Sequence, residues 1–323
     1  MNPVCGQLQI TYPIIQGGMG NISNAPLAAA VSEAGGLGMI GCGTMEPDEV
    51  EAIIKETKRL TGRPFGINIA INVATDVEAM IELSEEYDIP AVSLSAGNPS
   101  PYISRLKNMN KCVLTVVASV KHAKKACERG TDILVAEGVE AAGINAASEL
   151  TTFTLIPQMV GAVDIPVLAA GGVGDGKGLA AAMALGASGV QLGTRLITTE
   201  EAPFHDTYKQ HILKAEGTDA VLIGRILGPL RRVLSTPSVE NLRRLEQVGD
   251  PEDAYRTLTS ESIHRKGALD GDLESGFVNG GQVAGLITDI PSVNVLFKRM
   301  LTEARKQMES VGLLLAGGNE QVR

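Results

Sequence analysis

Apolar residues in this chain gather in short continuous runs, and the runs recur at regular intervals. Eight have strand character: 13–17 (PIIQG), 37–43 (LGMIGCG), 64–71 (PFGINIAI), 91–97 (AVSLSAG), 112–119 (CVLTVVAS), 133–138 (ILVAEG), 165–172 (IPVLAAGG) and 189–195 (GVQLGTR). Most are apolar throughout, as parallel strands are when helices cover one face and a packed interior covers the other. Nearly all end in Gly, Ser or Asn, where a loop takes over. Helical patterns lie between them at 24–33, 46–60, 76–87, 119–129 and 176–185. The first opens on Asn24 with a proline close behind, and the second has Pro47 at its start, as helix beginnings do. Strands follow one another at about 20–32 residues, the repeat of a βα unit. Eight such units in roughly 200 residues predict an α/β chain closed into a (β/α)₈ TIM barrel rather than an open sheet.

The pattern changes after Arg195. Residues 200–262 read as helical and charged, 271–285 are rich in glycine, and an amphipathic helix is predicted over 292–311. The expected organisation is a barrel of residues 1–199 plus 286–315, a mostly helical C-terminal appendage over the barrel mouth at 200–285, and a disordered tail at 316–323.

Composition narrows the functions. A net charge of −9 argues against a general nucleic-acid or anionic-membrane binder, which needs a basic surface. No Lys or Arg precedes Lys55, so the basic start of a signal peptide is missing, and no apolar run reaches the roughly 18–20 residues that span a bilayer. A cytoplasmic location is the expectation. Cys5, Cys42, Cys112 and Cys127 are scattered without CxxC spacing, so neither a metal site nor a disulfide framework is expected.

In a barrel, ligands sit at the C-terminal ends of the strands, and the loops after the seventh and eighth are the usual phosphate site. Here those loops contain Gly171 and Gly172, then Gly193 and Thr194 about 22 residues later. Glycines let backbone N–H groups approach phosphate oxygens, and the threonine adds a hydroxyl. The other strand ends carry Gln16, Asn68, Ser95, Asn98 and Ser119, polar but uncharged, with Glu137 the main exception. Such a lining suits a neutral amphiphilic ring system such as isoalloxazine. For Gln16 and Asn68, hydrogen bonding inside the barrel is an equal alternative.

QGGMG near the start, NAPLAAAVSEAGGLGMIG, PFGINI, SAGNPS, VAEGVEAAG, VLAAGGVGDGKGLAAAMALGASGVQLGTR and GDLESGFVNGGQVAGLI together resemble the nitronate monooxygenase (2-nitropropane dioxygenase) family. The flavin-type enoyl-acyl-carrier-protein reductases within it are the most similar branch. The resemblance spans about residues 7–310 and implies an FMN-containing barrel with no metal at the reaction centre. It implies that Gly17, Gly18 and Met19 line the flavin ring and that Asn68 bonds the ring system. Glu137 would sit by the ribityl chain, with Gly143 also in the cofactor site. Gly171, Gly172, Gly193 and Thr194 would hold the phosphate. The GQVAG stretch at 281–285 resembles the reductase branch.

One departure stands out. The segment after the sixth strand normally ends GG-His in this family, and that histidine is its acid–base; here Ile144 stands in its place, followed by Asn145. The chain's histidines lie elsewhere: His122 on an outer helix, His205 and His211 on the first helix of the appendage, and His264. The leading expectation is an oxidoreductase that passes hydride from NAD(P)H through FMN to an enoyl thioester or similar activated alkene. Asn145 would hold the water that replaces the histidine. The alternatives are O₂-dependent nitronate monooxygenase activity, an FMN-binding protein with little or no turnover, and an unrelated phosphate-binding barrel. Arg225, Arg231, Arg232, Arg243 and Arg244 concentrate positive charge that could steer an anionic coenzyme A or acyl carrier protein. A solvated helix face paired with Glu240 and Glu246 is the equal alternative. The expected partners are a small-molecule substrate, coenzyme A- or carrier-linked, and a second copy of the chain in a homodimer.

Overall fold

A computed structural model of the chain describes residues 2–248 and 252–316, with side chains at 248 and 252–254 left aside. The predicted tail at 317–323 lies outside the described residues. The eight apolar runs form the parallel strands β1 (Ile14–Gln16), β2 (Gly38–Gly41), β3 (Phe65–Ala70), β4 (Ala91–Ser95), β5 (Cys112–Val117), β6 (Ile133–Glu137), β8 (Val167–Ala170) and β9 (Gly189–Leu192). A two-residue strand, β7 (Gly143–Ile144), interrupts the series in a different sheet. The barrel order is β1-β9-β8-β6-β5-β4-β3-β2. It closes where Ile15 bridges Leu37, with Gln16 N–H donating to Leu37 O at 2.9 Å and Leu37 N–H to Ile14 O at 3.1 Å.

Closure buries both faces of every strand, which is why alternation is missing from the sequence. Ile15, Leu37, Met39, Leu114, Val135 and Leu168 belong to one interior cluster, and the helix Pro3–Leu8 adds Val4 and Leu8 to it. The outer faces are covered by helices that begin and end as the sequence signals indicate. Asn24 accepts from Leu27 N–H at the head of Ala25–Glu33, and Asp175 accepts from Gly178 N–H at the head of Gly176–Ala184. Helices Ser100–Asn108 and Thr152–Val160 complete the ring without having been predicted. The final helix, Val293–Ala316, packs closely on Gly176–Ala184, because a Cβ at Gly176 would stand 2.4 Å from the Met300 carbonyl oxygen. Arg195, 2% exposed, secures it by pairing with Asp289 at 2.9 Å, which in turn holds Arg299 at 2.6 Å. No described helix is long and apolar enough to cross a membrane.

Residues 200–262 are not helical throughout, as the charge pattern had led us to expect. Helices cover Asp206–Lys214, Pro237–Val248, Glu252–Leu258 and Glu261–Leu269, but an antiparallel pair, β10 (Ala220–Ile223) and β11 (Arg231–Leu234), lies among them. The basic character of β11 hides it, because Arg231 and Arg232 are buried rather than solvated. β11 also pairs with β7, Arg231 opposite Ile144 and Arg232 opposite Gly143. That three-stranded sheet joins the loop after β6 to residues 220–234.

Close packing of β2 on the helix Ala25–Glu33 generates a test. A Cβ on Gly38 would stand 1.9 Å from the Ala28 carbonyl oxygen, a backbone atom that cannot swing aside. Gly38→Ala is expected to lower stability by at least about 2 kcal/mol. A urea titration should show the midpoint falling with its slope unchanged.

Candidate active site

The C-terminal ends of the barrel strands open into a single cavity, and the residues expected to hold a cofactor meet there. Gly17, Gly18 and Met19 after β1, Asn68 on β3, Glu137 on β6, Gly143 on β7, Gly171 and Gly172 after β8, and Gly193 and Thr194 after β9 all line it. Gly18 packs so close to Asn68 that a Cβ would lie 2.4 Å from Oδ1. The Asn68 amide is turned by its Nδ2 bonds to Ser93 O at 3.3 Å and to the Ser93 and Ser95 hydroxyls at 3.2 Å. Gly171 (φ +100°) and Gly172 (φ +74°) adopt the left-handed backbone that favours glycine. Nothing lies within 4 Å of where a Gly193 side chain would begin. Thr194 Oγ1 accepts Gly281 N–H at 3.0 Å, which leaves its own hydrogen to donate. The result is a glycine-built hollow bordered by one hydroxyl that is free to donate.

Two further candidates fall elsewhere. Gln16 is fully buried beneath the cavity, where its Oε1 accepts Met39 N–H at 3.3 Å; its Nε2 has no partner among the described residues. Asn145 is not among the lining residues. Its backbone N–H donates to Leu230 O at 2.8 Å, and its Nδ2 donates to Ala141 O at 2.9 Å and Gly143 O at 3.0 Å. Those bonds shape the loop that presents Ile144. Ile144 itself is 37% exposed and borders both this cavity and an adjoining one lined by Pro99, Val116, Val117, His122, Lys125 and Asn145. Ser95 lines the first cavity and Asn98 the second, while Ser119 caps the helix Val120–Glu128.

The basic patch is not assembled. Arg231 and Arg232 are buried, Arg225 forms a two-pronged pair with Glu149 at 2.5 and 2.7 Å, and Arg243 pairs with Glu240 at 3.1 Å. Strand pairing draws 231 and 232 inward, and neighbouring carboxylates pair with Arg225 and Arg243. His205 and His211 lie on the first appendage helix, as expected. His205 is exposed and caps its helix through Thr207 N–H, and His211 meets Ser235 O at 2.8 Å. His264, 2% exposed, is the one that lines the cavity. Asn279 Nδ2 donates to its Nε2 at 3.1 Å, leaving Nδ1 to carry the proton that faces Glu261 Oε2 at 3.4 Å. Sequence reasoning missed this cluster; the Glu261–His264 spacing, one helical turn, was its only local sign.

Charge in the cavity is tuned by burial. Desolvation pushes the Glu137 carboxyl up to about 7. Burial acts in the same direction on Glu261, but the hydrogen bond from His264, together with the Arg231 charge, outweighs it and holds this carboxyl below its ordinary value.

The eight-stranded α/β barrel carries its main cavity at the C-terminal ends of the strands, where barrel enzymes bind their ligands. The nitronate monooxygenase family model matches residues 2–303, so the chain belongs to that family and is an oxidoreductase. The structure superposes on FabK from Thermotoga maritima with a TM-score of 0.92 and 40% identity, over 96% of this chain and 98% of that one. A probable nitronate monooxygenase of Staphylococcus haemolyticus is 33% identical over 94% of this chain and 97% of its own length. The (3aS,4S,5R,7aS)-5-hydroxy-7a-methyl-1-oxo-octahydro-1H-indene-4-carboxyl-CoA dehydrogenase of Rhodococcus jostii is 31% identical, covering 95% and 96%.

The raised Glu137 value predicts a pH dependence. Unfolded, this carboxyl ionises near its ordinary 4.5; folded, it holds its proton to about 7. Across that interval the unfolded chain binds fewer protons, so the contribution of Glu137 to stability falls as pH rises. In flavin-free protein, Glu137→Gln should remove that decline. The variant should be more stable than wild type by about 2–3 kcal/mol at pH 7.5 and nearly equal at pH 4.5. Guanidinium midpoints at the two pH values provide the comparison.

Proposed function

We propose that the protein is an FMN-dependent reductase of an α,β-unsaturated thioester, with NAD(P)H as its reductant. The observation that carries this reading is the convergence of the ten expected cofactor residues on one cavity that ends in the Gly171, Gly172, Gly193 and Thr194 cradle. Gly171, Gly172 and Gly193 would admit phosphate oxygens to their backbone N–H groups, and the Thr194 hydroxyl would donate to one. Gly18 packs against the Asn68 side chain, and the Asn68 amide held there would meet the polar edge of a flat ring. When bound, the flavin would supply hydride transfer.

The acceptor is read from the rest of the lining. Ile144 presents an apolar surface between the two cavities, and the second continues outward along Pro99, Val116 and Val117 to His122 and Lys125. An acyl chain or pantetheine arm is amphiphilic in the same order, and the two basic side chains suit the phosphate of a coenzyme A or carrier link. The resemblance to FabK, an enoyl-acyl-carrier-protein reductase, and to a coenzyme A-linked dehydrogenase supports the same class. Ile144 cannot transfer a proton, so the final protonation falls to water beside Glu261 and His264. A second reading, nitronate oxidation, is favoured by the family relationship and shares the flavin cradle.

Heat-denatured protein should release a flavin that chromatographs as FMN, and anaerobic NADH or NADPH should bleach it. Gly193→Asp is the cleanest way to disrupt the cradle. Unlike Gly172, Gly193 does not sit in the left-handed region, and its side-chain position is open, so the new carboxylate would meet the phosphate there. A folded, colourless variant is expected; one that retains FMN would overturn the phosphate assignment. Restoring an acid at Ile144 tests the chemistry. Ile144→His should speed thioester-dependent flavin reoxidation by at least about tenfold, short of the 10²–10⁴-fold that a fully positioned general acid contributes, and leave flavin reduction unchanged.

A further inference from the structure

Arg231 is a loosely partnered cation in the cavity. Its side chain is 9% exposed and lines the cavity wall, yet its nearest acceptors are distant: Asn279 Oδ1 at 3.5 Å and Glu261 Oε1 at 3.8 Å. A guanidinium carries five N–H donors, and a buried cation is costly unless acceptors meet it closely. The adjacent residue shows what a structural arginine looks like in the same strand. Arg232 donates from Nε to Val139 O at 2.7 Å and from Nη1 to Ala220 O at 2.5 Å. Arg231 has no such bonds.

Its direction is set by the small sheet. Directly opposed residues of an antiparallel pair project from the same face, and Arg231 is opposite Ile144. Both side chains line the cavity, so the guanidinium stands beside the position from which the family's histidine would act. It is also held in place. The guanidinium lies 5.2 Å from the centre of the Phe277 ring, fully buried, on which His264 also stacks at 5.2 Å. Burial lowers the Arg231 pKa from its ordinary value and the Glu261 charge opposes that, but an arginine in this position stays cationic.

We propose that Arg231 is a catalytic residue that binds the carbonyl oxygen of the substrate and holds the negative charge that appears there during reduction. The proposal rests on the thioester-reductase reading above. In that reaction, hydride supplied by the reduced flavin forms the new C–H bond at the β-carbon. The alkene pair becomes the Cα=C bond of an enolate, and the carbonyl π pair moves onto oxygen, against the guanidinium. Water then gives Cα a proton, the enolate pair returns to C=O, and the saturated thioester and oxidised flavin remain. A fixed cation in a partly dry cavity is the means of stabilising such an oxyanion, and it accounts for how the chain tolerates Ile144.

Acetoacetyl-coenzyme A, whose enolate has its own ultraviolet band, tests the site on the oxidised flavin-loaded protein without turnover. Wild type should bind it as the enolate at a pH where the free compound is mostly neutral. Arg231→Met should lose the band while retaining full flavin content, and should slow reoxidation by crotonyl-coenzyme A about 100-fold or more. Arg231→Lys, which retains the charge, should keep part of both. Glu261→Gln removes the competing carboxylate and should strengthen the band, a gain that a purely structural arginine would not produce. A wild type that binds only the neutral form, or an Arg231→Met protein with an undiminished band, would overturn the assignment. If the band behaves as described but crotonyl-coenzyme A does not reoxidise the flavin, the oxyanion site stands and the thioester-reductase reading fails.

Discussion

The hydrogen bonds between β1 and β2 at Gln16 and Leu37 turn a sheet into a barrel, and the organisation of the site follows from that closure. With no free edge, the strands bury both faces, and polar groups in the middle of a strand need partners inside the wall. Gln16 bonds Met39 N–H from such a position. Polar side chains free to meet a ligand are restricted to the strand ends and the loops beyond them. That is where Asn68, Glu137, the glycine pairs and Thr194 are found.

A barrel alone leaves this cavity open, and residues 220–284 enclose it through two attachments. Pairing of β7 with β11 carries Arg231 to the wall beside Ile144. Gly281 then touches the loop after β6 and Thr194 together, since a Cβ there would stand 2.7 Å from Glu140 O and 3.3 Å from Thr194 Oγ1. The glycine-rich side of the cavity is therefore built from barrel loops, while Arg231, Glu261 and His264, over its other side, come from the later segment. This division separates Ile144, on the small sheet, from the hollow that the barrel glycines form.

What could be read from sequence follows the same division. The eight strands were legible because burial on both faces leaves unbroken apolar runs, and the place of Gly171, Gly172 and Gly193 at the cavity because their spacing matches consecutive βα units. The hairpin of β10 and β11 was not, since RRVL carries its charges inward, against the usual meaning of two adjacent arginines. Arg231, Glu261 and His264 come together only through strand pairing and the stacking on Phe277, long-range contacts with no local signature beyond one helical turn. Asn145 was singled out for standing next to Ile144 in sequence, whereas its amide bonds back onto its own loop.

Thioester reduction and nitronate oxidation share the cradle and differ in what takes electrons from the reduced flavin. Anaerobically reduced protein mixed in a stopped-flow instrument with either crotonyl-coenzyme A or air-saturated buffer compares the acceptors directly. This account predicts that the thioester restores the oxidised flavin spectrum faster than dioxygen does, with butyryl-coenzyme A formed in equal amount. Reoxidation by dioxygen alone, with crotonyl-coenzyme A recovered unchanged, would contradict it.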